Sequence, residues 1–336
     1  MTKLYLIRHA EAEGNIFRRM HGQYDSRITQ NGLRQIDALR RRFADVRVDA
    51  VYASDLFRTR KTAEAIYLPK GLPLHPDPRF REVHVGEWED VPFAELERRF
   101  PEALASFVRD PEHWIVPGAE RFDAYSGRFE AGLREIAEVH AGQTVAVFTH
   151  GCVLSGGLHR IIGLPHNASR ADNTSVSLLE YEDGSFRPVY LFDNSHLSDA
   201  ISTQARQSWW RQHEGKFNLW FREATGEDCG LYDPAHAPEQ TDQIWIAMLD
   251  NEAVGYVSVA ARALGSIWLK PEYRHCRRGD QLLGQAVMVL RARGVETLSF
   301  GVPTANLDAV GFFSHHAEPV QMDDCYTVFR MEISVK

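Results

Sequence analysis

Short apolar segments alternate with amphipathic helical segments along most of this chain, and this alternation limits the folds it can adopt. Residues 3–7 form an apolar run that stops abruptly at Arg8-His9, which is typical of a buried parallel strand. A helical pattern follows, with Thr29 as its predicted N-cap, and residues 48–54 resemble a second strand. Strands and helices in this order predict an α/β layered fold with a largely parallel sheet.

The same alternation continues to about residue 195. The second strand leads into a helix for which Ser54 or Asp55 is the predicted N-cap, and residues 144–150 form a further strand followed by a helix. Residues 69–125 are rich in proline, glutamate and aromatic side chains and show no clear periodicity. We expect this segment to form helical cover over a site.

The character of the sequence changes after residue 196. The chain has 336 residues, roughly twice the commonest size of a single domain. Residues 197–216, which include Trp209-Trp210, carry no strand pattern and are interpreted as a connecting helix. Several short strands, two of them joined in a hairpin across Asp250-Asn251, and two helices then predict a second, smaller α/β domain. The sequence therefore predicts domains at 1–196 and 217–336 with a helical linker at 197–216.

Composition argues against several classes of protein. The formal net charge is −8, and both halves of the chain are net negative, which argues against nucleic-acid binding. No segment approaches the roughly 20 apolar residues of a membrane span, and the first residues do not resemble a signal peptide. The cysteines lie far apart without a CxxC pair, which argues against a disulfide framework or a zinc finger: Cys152, Cys229, Cys276 and Cys325. A cytoplasmic protein is the expectation.

Charged side chains gather at the predicted strand ends and helix starts of the first domain. Arg8 and His9 follow the first strand, and His150 ends another one. Arg58 lies in the first turn of a helix, where the backbone N–H groups and the helix dipole favour an anion. Ligands of open α/β sheets bind at the carboxyl ends of the strands, and guanidinium groups match phosphate oxygens. The arrangement predicts a phosphate pocket, with Glu82 available for proton transfer.

At these residues the first 195 positions or so resemble the histidine phosphatase superfamily, also called the phosphoglycerate mutase-like family. The segment LIRHAEAEGN matches its Arg-His-Gly signature, although Ala10 replaces the glycine. Four further segments match family motifs: HGQYDSRITQNGLRQIDAL, ASDLFRTRKTAEAI, FREVHVGEWED and VFTHG. The resemblance implies an α/β/α sandwich and phosphoryl chemistry on a small phosphorylated metabolite.

The resemblance also assigns roles to individual residues. It implies His9 as nucleophile, Glu82 as general acid and a phosphate clamp of Arg8, Arg58 and His150. It adds four substrate-binding candidates: Asn15, Gln23, Thr29 and Gly151. The chemistry implied requires no metal, and no metal ligands are assigned.

Phosphatase and mutase are alternatives within this family. Family mutases carry a long insertion rich in arginine and proline after the glutamate, which retains and returns the phosphoryl group. The segment after Glu82 contains Arg98-Arg99 but no such insertion. A metal-independent phosphatase is therefore favoured, with a phosphoglycerate mutase-type phosphotransferase as the alternative.

Residues 217–333 resemble the GNAT acetyltransferase family, which binds acetyl-CoA through an R-x-x-G-x-G loop. Here that loop begins at Arg274 and ends at Gly279, with Arg277 in place of the first glycine. Phe313 stands where many members have the tyrosine that protonates the leaving thiolate. The cofactor-binding candidates are Arg274, Arg277, Arg278, Gly279, Asp280 and Asn306.

The activity of this second domain is open at the level of sequence. One alternative is a bifunctional phosphatase and N-acetyltransferase. Another is a phosphatase with a GNAT-like sensor or interaction module that lacks catalysis. The identity of the phosphorylated substrate, the acetyl acceptor and the oligomeric state are left open by the sequence.

Overall fold

The computed structural model describes residues 1–166, 171–207, 217–233, 237–239 and 242–335. The chain divides into two compact units, each of α/β type, which confirms the predicted fold class. The first unit comprises Met1–Ala12, Met20–Glu89 and Arg99–Trp209, and the second comprises Glu13–Arg19, Asp90–Arg98 and Trp210–Lys336.

The strands are β1 (Thr2–Arg8), β2 (Arg19–Met20), β3 (Ala50–Ala53), β4 (Leu74–Pro76), β5 (Val91–Pro92), β6 (Thr144–Thr149), β7 (Val176–Glu182), β8 (Ser185–Asp193), β9 (Trp220–Glu223), β10 (Gln243–Leu249), β11 (Glu252–Val259), β12 (Leu264–Leu269), β13 (Thr297–Pro303), β14 (Glu318–Met322) and β15 (Tyr326–Glu332). The helices are α1 (Glu13–Phe17), α2 (Gln30–Arg42), α3 (Phe57–Lys70), α4 (Phe93–Arg99), α5 (Pro101–Arg109), α6 (Phe122–Val139), α7 (Gly151–Ile162), α8 (Thr203–Arg206), α9 (Arg278–Ala292) and α10 (Leu307–Ser314). Within the described ranges, no helix combines the length and apolar character needed to cross a bilayer.

The first unit is built on a six-stranded sheet with the order β4-β3-β6-β1-β7-β8. The strands from β4 to β1 are parallel to one another, whereas β7 runs antiparallel to both of its neighbours, β1 and β8. Five of the six residues of β6 and four of the seven residues of β1 are buried, as expected for central strands of a sheet covered on both faces. The prediction of a largely parallel sheet is confirmed.

The structure tests the predicted N-caps of two helices in the first unit. The Thr29 hydroxyl accepts a hydrogen bond from the Gly32 N–H, so Thr29 is the N-cap of α2 as predicted. The predicted N-cap of α3 is wrong, because the helix begins at Phe57 and its N-cap residue is Leu56, whose side chain forms no capping hydrogen bond. Ser54 and Asp55 make other contacts: Ser54 Oγ contacts a histidine ring, and Asp55 pairs with an arginine.

Helices α6 and α7 approach closely because α7 carries two successive glycines. A Cβ atom at Gly156 would lie 2.4 Å from the Tyr125 ring, and one at Gly157 would lie 2.2 Å from the Phe129 ring. Both distances are far below van der Waals contact, so only glycine fits here. The close packing fixes α7, whose first turn follows His150 directly.

The second unit contains two antiparallel sheets and two longer helices. The sheets have the strand orders β12-β11-β10-β9 and β13-β15-β14, and β10 and β11 form the hairpin expected from the sequence. Strand β14 was not predicted, since its short segment is exposed throughout and shows no alternation. A buried apolar cluster on α9 and β11 forms the core of the unit.

The connecting helix predicted over 197–216 is not continuous in the part of the chain that the structure describes. There, helix occupies only α8, and residues 208–216, with Trp209-Trp210, lie outside the described residues. The Ser202 hydroxyl donates to Asp172 Oδ2 at 2.6 Å, and the Thr203 hydroxyl donates to Glu11 Oε2 at 2.9 Å. These side-chain bonds hold the chain in a turn before α8.

Two short segments from the first hundred residues complete the second unit. In α1, Glu13 forms an ion pair with Arg291 at 2.8 Å, and Phe17 packs directly against Gly284. A buried ion pair joins Arg19 to Asp90 at 2.7 Å. The compact units are therefore discontinuous in sequence, whereas the predicted domain ranges are continuous.

Candidate active site

Two histidines meet at the carboxyl edge of the sheet because their strands are parallel neighbours. Strands β1 and β6 pair in register, with Arg8 opposite Thr149. His9 and His150 follow these residues, both are buried, and their ring centroids lie 5.2 Å apart. The topology thus brings together two residues that are 141 positions apart in the sequence.

The hydrogen bonds of His9 fix the orientation and tautomer of its ring. Its Nδ1 lies 2.7 Å from the carbonyl oxygen of Ala10, and a carbonyl oxygen can only accept. Nδ1 therefore carries the proton, and in the neutral ring Nε2 has a free lone pair. The backbone is held too, since the His9 N–H donates to the Thr149 oxygen and the His9 oxygen accepts from Asn173 Nδ2.

His150 is bound on both ring nitrogens. Its Nδ1 accepts a hydrogen bond from Arg58 Nε at 3.2 Å, and its Nε2 lies 2.9 Å from Ser54 Oγ. The Arg58 guanidinium is buried at the start of α3 and also donates to the oxygens of Gly22 and Tyr24 at 2.6 and 3.0 Å. Both cation and imidazole are consequently held rigidly.

Arg8 is the second cation of this group, and it is half-buried. One of its terminal nitrogens donates to the Ala171 oxygen at 2.5 Å, while its Nε is buried without a hydrogen-bond partner among the described residues. A Cβ atom at Gly151 would lie 3.3 Å from that Nε, so the glycine keeps a side chain out of this space. A buried unbonded N–H costs about 1–3 kcal/mol, and an oxyanion would satisfy it.

The surroundings keep both histidines uncharged. Burial, and then the charges of Arg58 and Arg8, hold the pKa of His9 well below its usual value of 6.5. Burial and Arg58 likewise hold the pKa of His150 well below 6.5. A neutral His9 with a free Nε2 near two guanidinium groups is an arrangement chemically capable of nucleophilic attack on an anionic group.

Glu82 lies against the start of α7. Its Oε1 accepts hydrogen bonds from the N–H groups of Val83 at 3.0 Å and Val153 at 2.8 Å. Its Oε2 accepts from the Cys152 N–H at 3.0 Å. The carboxyl group is therefore held two to three residues beyond His150, at the positive end of the helix dipole. Gln23 Nε2 donates to the Glu82 backbone oxygen at 3.1 Å, which places Gln23 beside it.

The remaining phosphate-pocket candidates differ in their surroundings. Gly151 adjoins Arg8 as described. The Thr29 hydroxyl donates to Glu11 Oε1 at 2.7 Å besides capping α2, so its hydrogen bonds serve the fold. Asn15 lies in α1, which belongs to the second unit, and its contact with phosphate stays a prediction.

Sequence reasoning missed three residues that support the histidines. Ser54 contacts His150, and Asn173 donates to the His9 oxygen. Asp25 accepts from the Phe57 N–H at 2.7 Å and lies 3.6 Å from an Arg58 nitrogen. Ser54 ends a predicted strand beside Arg58, and that position could have signalled its role. Nothing in the local sequence identifies the other two.

The candidate acetyl-CoA loop of the second unit ends at Gly279, the second residue of α9. Arg277 precedes the helix with φ +55° and ψ 18°, the left-handed conformation that favours glycine. This agrees with a loop in which the family carries glycine at that position. In the described structure no side chain caps α9, and a left-handed residue before a helix forms a backbone nest for anions.

The other loop candidates have protein partners. Arg274 Nε donates to the Leu269 oxygen at 2.9 Å, and the Arg278 guanidinium lies 5.5 Å from the centroid of the Tyr273 ring. A Cβ atom at Gly279 would lie 2.9 Å from the Phe312 ring, so this glycine serves helix packing.

Two polar cofactor-binding candidates also form hydrogen bonds within the protein. Asp280 Oδ1 lies 2.9 Å from His316 Nε2, and the Asn306 side chain caps α10 by accepting from the Ala309 N–H at 3.1 Å. Phe313 is buried among other aromatic rings, 4.6 Å from the Phe300 centroid. Phe313 has no proton to transfer, and Arg274 and Arg278 already contact protein groups.

The depressed pKa values of the two histidines predict acid destabilisation. The unfolded state binds a proton near pH 6.5 and the folded state does so only well below it, so stability present above pH 6.5 is lost as the pH falls. We expect the free energy of unfolding to fall by up to about 1.4 kcal/mol per pH unit for each histidine. Urea titrations between about pH 7.5 and 5.5 measure this slope.

The variant His9→Asn is the control, since it removes one of the two titrating groups and should reduce the slope. An unfolding free energy that does not change over this pH range would contradict the prediction.

Comparison with known proteins gives matches in both units. Residues 4–194 match the family described as Histidine phosphatase superfamily (branch 1), and residues 203–317 match the Acetyltransferase (GNAT) family. A relative from Yersinia pestis (strain Pestoides F), named Probable phosphoglycerate mutase GpmB, is 32% identical over 186 residues, which cover 54% of this chain and 86% of the relative.

Two solved structures are similar to the first part of the chain. Bacillus stearothermophilus YhfR has a TM-score of 0.57 at 31% identity, and the match covers 59% of this chain and all of that one. The alpha-ribazole phosphatase from Shigella flexneri has a TM-score of 0.51 at 28% identity, and the match covers 57% of this chain and 96% of that one.

Proposed function

The chain belongs to the histidine phosphatase superfamily, and we propose on that basis that it hydrolyses phosphate monoesters of small metabolites through a phosphohistidine intermediate. One observation carries this proposal: the neutral His9 ring presents a free Nε2 near the buried Arg58 and the half-buried Arg8 guanidinium groups. Relatives named for phosphoglycerate and alpha-ribazole phosphate chemistry indicate the size of substrate to test first.

The first step is transfer of the phosphoryl group to His9. Nε2 attacks phosphorus, the ester bond breaks, and protonated Glu82 gives its proton to the departing oxygen. Arg8 and Arg58 stabilise the charge that develops on the equatorial oxygens. The products of this step are the free alcohol, the phosphohistidine and a Glu82 carboxylate.

The second step is hydrolysis of the phosphohistidine. The Glu82 carboxylate takes a proton from water, and the oxygen attacks phosphorus while the N–P bond breaks. This step restores the neutral His9 ring and the protonated carboxyl group, and it releases inorganic phosphate. Arg8 and Arg58 hold the phosphate charge throughout.

Contacts of the arginine pair after Glu82 favour a phosphatase over a mutase. Arg98 is paired with Glu95 at 2.9 Å and lies 4.6 Å from the Trp220 ring centroid. Arg99 lies 4.9 Å from the centroid of the Phe100 ring. A mutase needs additional phosphate-binding cations, and these contacts give the pair a structural role.

Phosphatase turnover is expected to be unchanged by excess EDTA, because arginine side chains neutralise the phosphate here. The measurement is the release of inorganic phosphate at room temperature from a panel of sugar phosphates, nucleotides and phosphoglycerates, with and without chelator. Loss of turnover in EDTA that one specific metal restores would show that the site has been misread. The same panel tests the proposed function, since hydrolysis of none of these esters would contradict it.

A second candidate function concerns the GNAT domain. We propose that it binds acetyl-CoA through the backbone N–H groups at the start of α9. The left-handed Arg277 before an uncapped helix supports this, since pyrophosphate is bound at such helix starts. Arg274 and Arg277 would add positive charge, and acetyl-CoA supplies the acetyl group of any transfer.

Acetyl-CoA is expected to bind the full-length chain, and Arg277→Glu is expected to weaken binding by about 10-fold or more, because it places a carboxylate beside the pyrophosphate. Calorimetry gives both affinities. Arg277→Gly is the matched control, since glycine keeps the left-handed backbone without the negative charge. No heat from the folded wild-type chain at millimolar ligand would overturn the binding proposal.

Acetyl transfer itself should be slow. Phe313 cannot protonate the thiolate, and a missing general acid typically costs about 10²–10⁴-fold in rate. Rapid acetylation of common amines would contradict this part.

A further inference from the structure

Three potential metal ligands converge in the first unit, outside the group around His9. Glu112 lies between α5 and α6, His159 lies in the last turn of α7, and His166 follows that helix. Their ligand atoms all lie within 4.8 Å of one another. His159 Nε2 and His166 Nε2 lie 3.2 and 3.1 Å from the same oxygen, Oε1 of Glu112.

The tautomer of His159 shows that this contact needs a cation. Its Nδ1 lies 2.8 Å from the Leu164 carbonyl oxygen, so Nδ1 is the protonated nitrogen. In the neutral ring the Nε2 lone pair would then face a carboxylate lone pair at 3.2 Å, which is repulsive. Either a second proton or a metal ion between the two atoms removes the repulsion.

The two histidine rings lie face to face beside the carboxylate. The rings of His159 and His166 are stacked, with centroids 3.8 Å apart and an interplanar angle of 18°. One divalent cation, bound by both Nε2 atoms and the carboxylate, serves all three groups at once.

The surroundings orient the rings and leave space for a further ligand. Phe122 is buried and meets both imidazoles edge-on, with centroids 5.7 Å from His159 and 5.5 Å from His166. The bond from His159 Nδ1 to a carbonyl is the outer contact typical of metal-bound histidine. A cavity of about 390 Å³ borders Glu112 and His159, and water could enter there as fourth ligand.

We propose that Glu112, His159 and His166 bind a divalent transition metal, with Zn²⁺ as the preferred ion. Two imidazoles and one carboxylate are a donor set that suits zinc, whereas Mg²⁺ and Ca²⁺ prefer oxygen alone. The ion joins the segment before α6 to the end of α7. Since the start of α7 bonds Glu82, the ion stabilises the helix that positions this carboxyl group.

The test uses the tag-free, full-length protein after EDTA treatment and dialysis. Calorimetric titration with Zn²⁺ at neutral pH should show one site per chain, and Zn²⁺ should raise the melting temperature by mass action. His159→Ala and His166→Ala should each weaken Zn²⁺ binding by at least about 10-fold. Even the loss of a residue that only supports a metal ligand typically costs about 10-fold or more in affinity. Phosphatase turnover at room temperature should be the same with and without Zn²⁺, which distinguishes this site from a catalytic metal site.

His113→Ala is the matched control, because His113 borders the same cavity but its Nδ1 contacts Asp110 at 2.8 Å. It should bind Zn²⁺ like the wild-type chain. Should an alanine variant fail to fold, the spectrum of Co²⁺ bound to the wild-type chain identifies tetrahedral nitrogen and oxygen coordination directly. Absence of Zn²⁺ binding, wild-type affinity in both alanine variants, or an octahedral Co²⁺ spectrum would overturn the proposal.

Discussion

His9→Ala is expected to lower phosphatase turnover by on the order of 10⁴-fold or more, the scale of losing a nucleophile. The ring supplies the only Nε2 in the described pocket with a free lone pair, since both nitrogens of His150 are hydrogen-bonded. The fold should persist, because the backbone bonds of residue 9 to Thr149 and Asn173 do not involve the ring. Steady-state phosphate release measures the loss, and thermal melting checks the fold.

Trapping the intermediate gives an independent measurement. Enzyme quenched during turnover of a labelled substrate should carry phosphate on His9, in an acid-labile and base-stable linkage. His75→Ala is the control, since His75 is exposed and stacks on Tyr52 at 4.9 Å. Full activity of the His9 variant, or label on another residue, would end the proposed mechanism.

Glu82→Gln is expected to lower turnover by about 10²–10⁴-fold, the usual contribution of general acid–base catalysis. The amide keeps the shape of the carboxyl group but has no proton to give to the leaving oxygen. Its NH₂ group also faces the backbone N–H groups of Val153 or Cys152, so a loss of about 1–3 kcal/mol in stability should accompany it.

The choice of substrate separates the chemical role of Glu82 from its structural one. An aryl phosphate has a leaving group that needs no proton, so its first step should be nearly normal in the Gln variant. A burst of phenol followed by slow turnover is then expected, because hydrolysis of the phosphohistidine still lacks its base. Glu87→Gln is the control, an exposed carboxylate in the same loop. An equal loss for alkyl and aryl esters, without a burst, would indicate a structural role alone.

Local sequence determined the elements of the chain and the principal chemical groups. The strand ending at Arg8, the Thr29 cap and the hairpin of β10 and β11 follow from periodicity and turn chemistry, which act over a few residues. The same holds for the placement of His9 and His150 at strand ends. Because parallel neighbours end at one edge, their approach was predictable once β1 and β6 paired.

Interactions distant in sequence decided the rest. The start of α3 differs from its prediction, and the N–H group of its first residue, Phe57, donates to Asp25 Oδ2, a distant partner that no local pattern contains. Segments 13–19 and 90–98 join the second unit through packing and ion pairs that only the folded chain brings together.

The proposed metal site shows most clearly the difference between what local sequence and what tertiary structure determine. Glu112, His159 and His166 show no ligand spacing in the sequence, where the outermost two are 54 residues apart. Only the folding of α7 against the segment before α6 aims both Nε2 atoms at one carboxylate oxygen. Local sequence determines which chemical groups a short segment contains. Long-range packing determines which of these groups come into contact with one another.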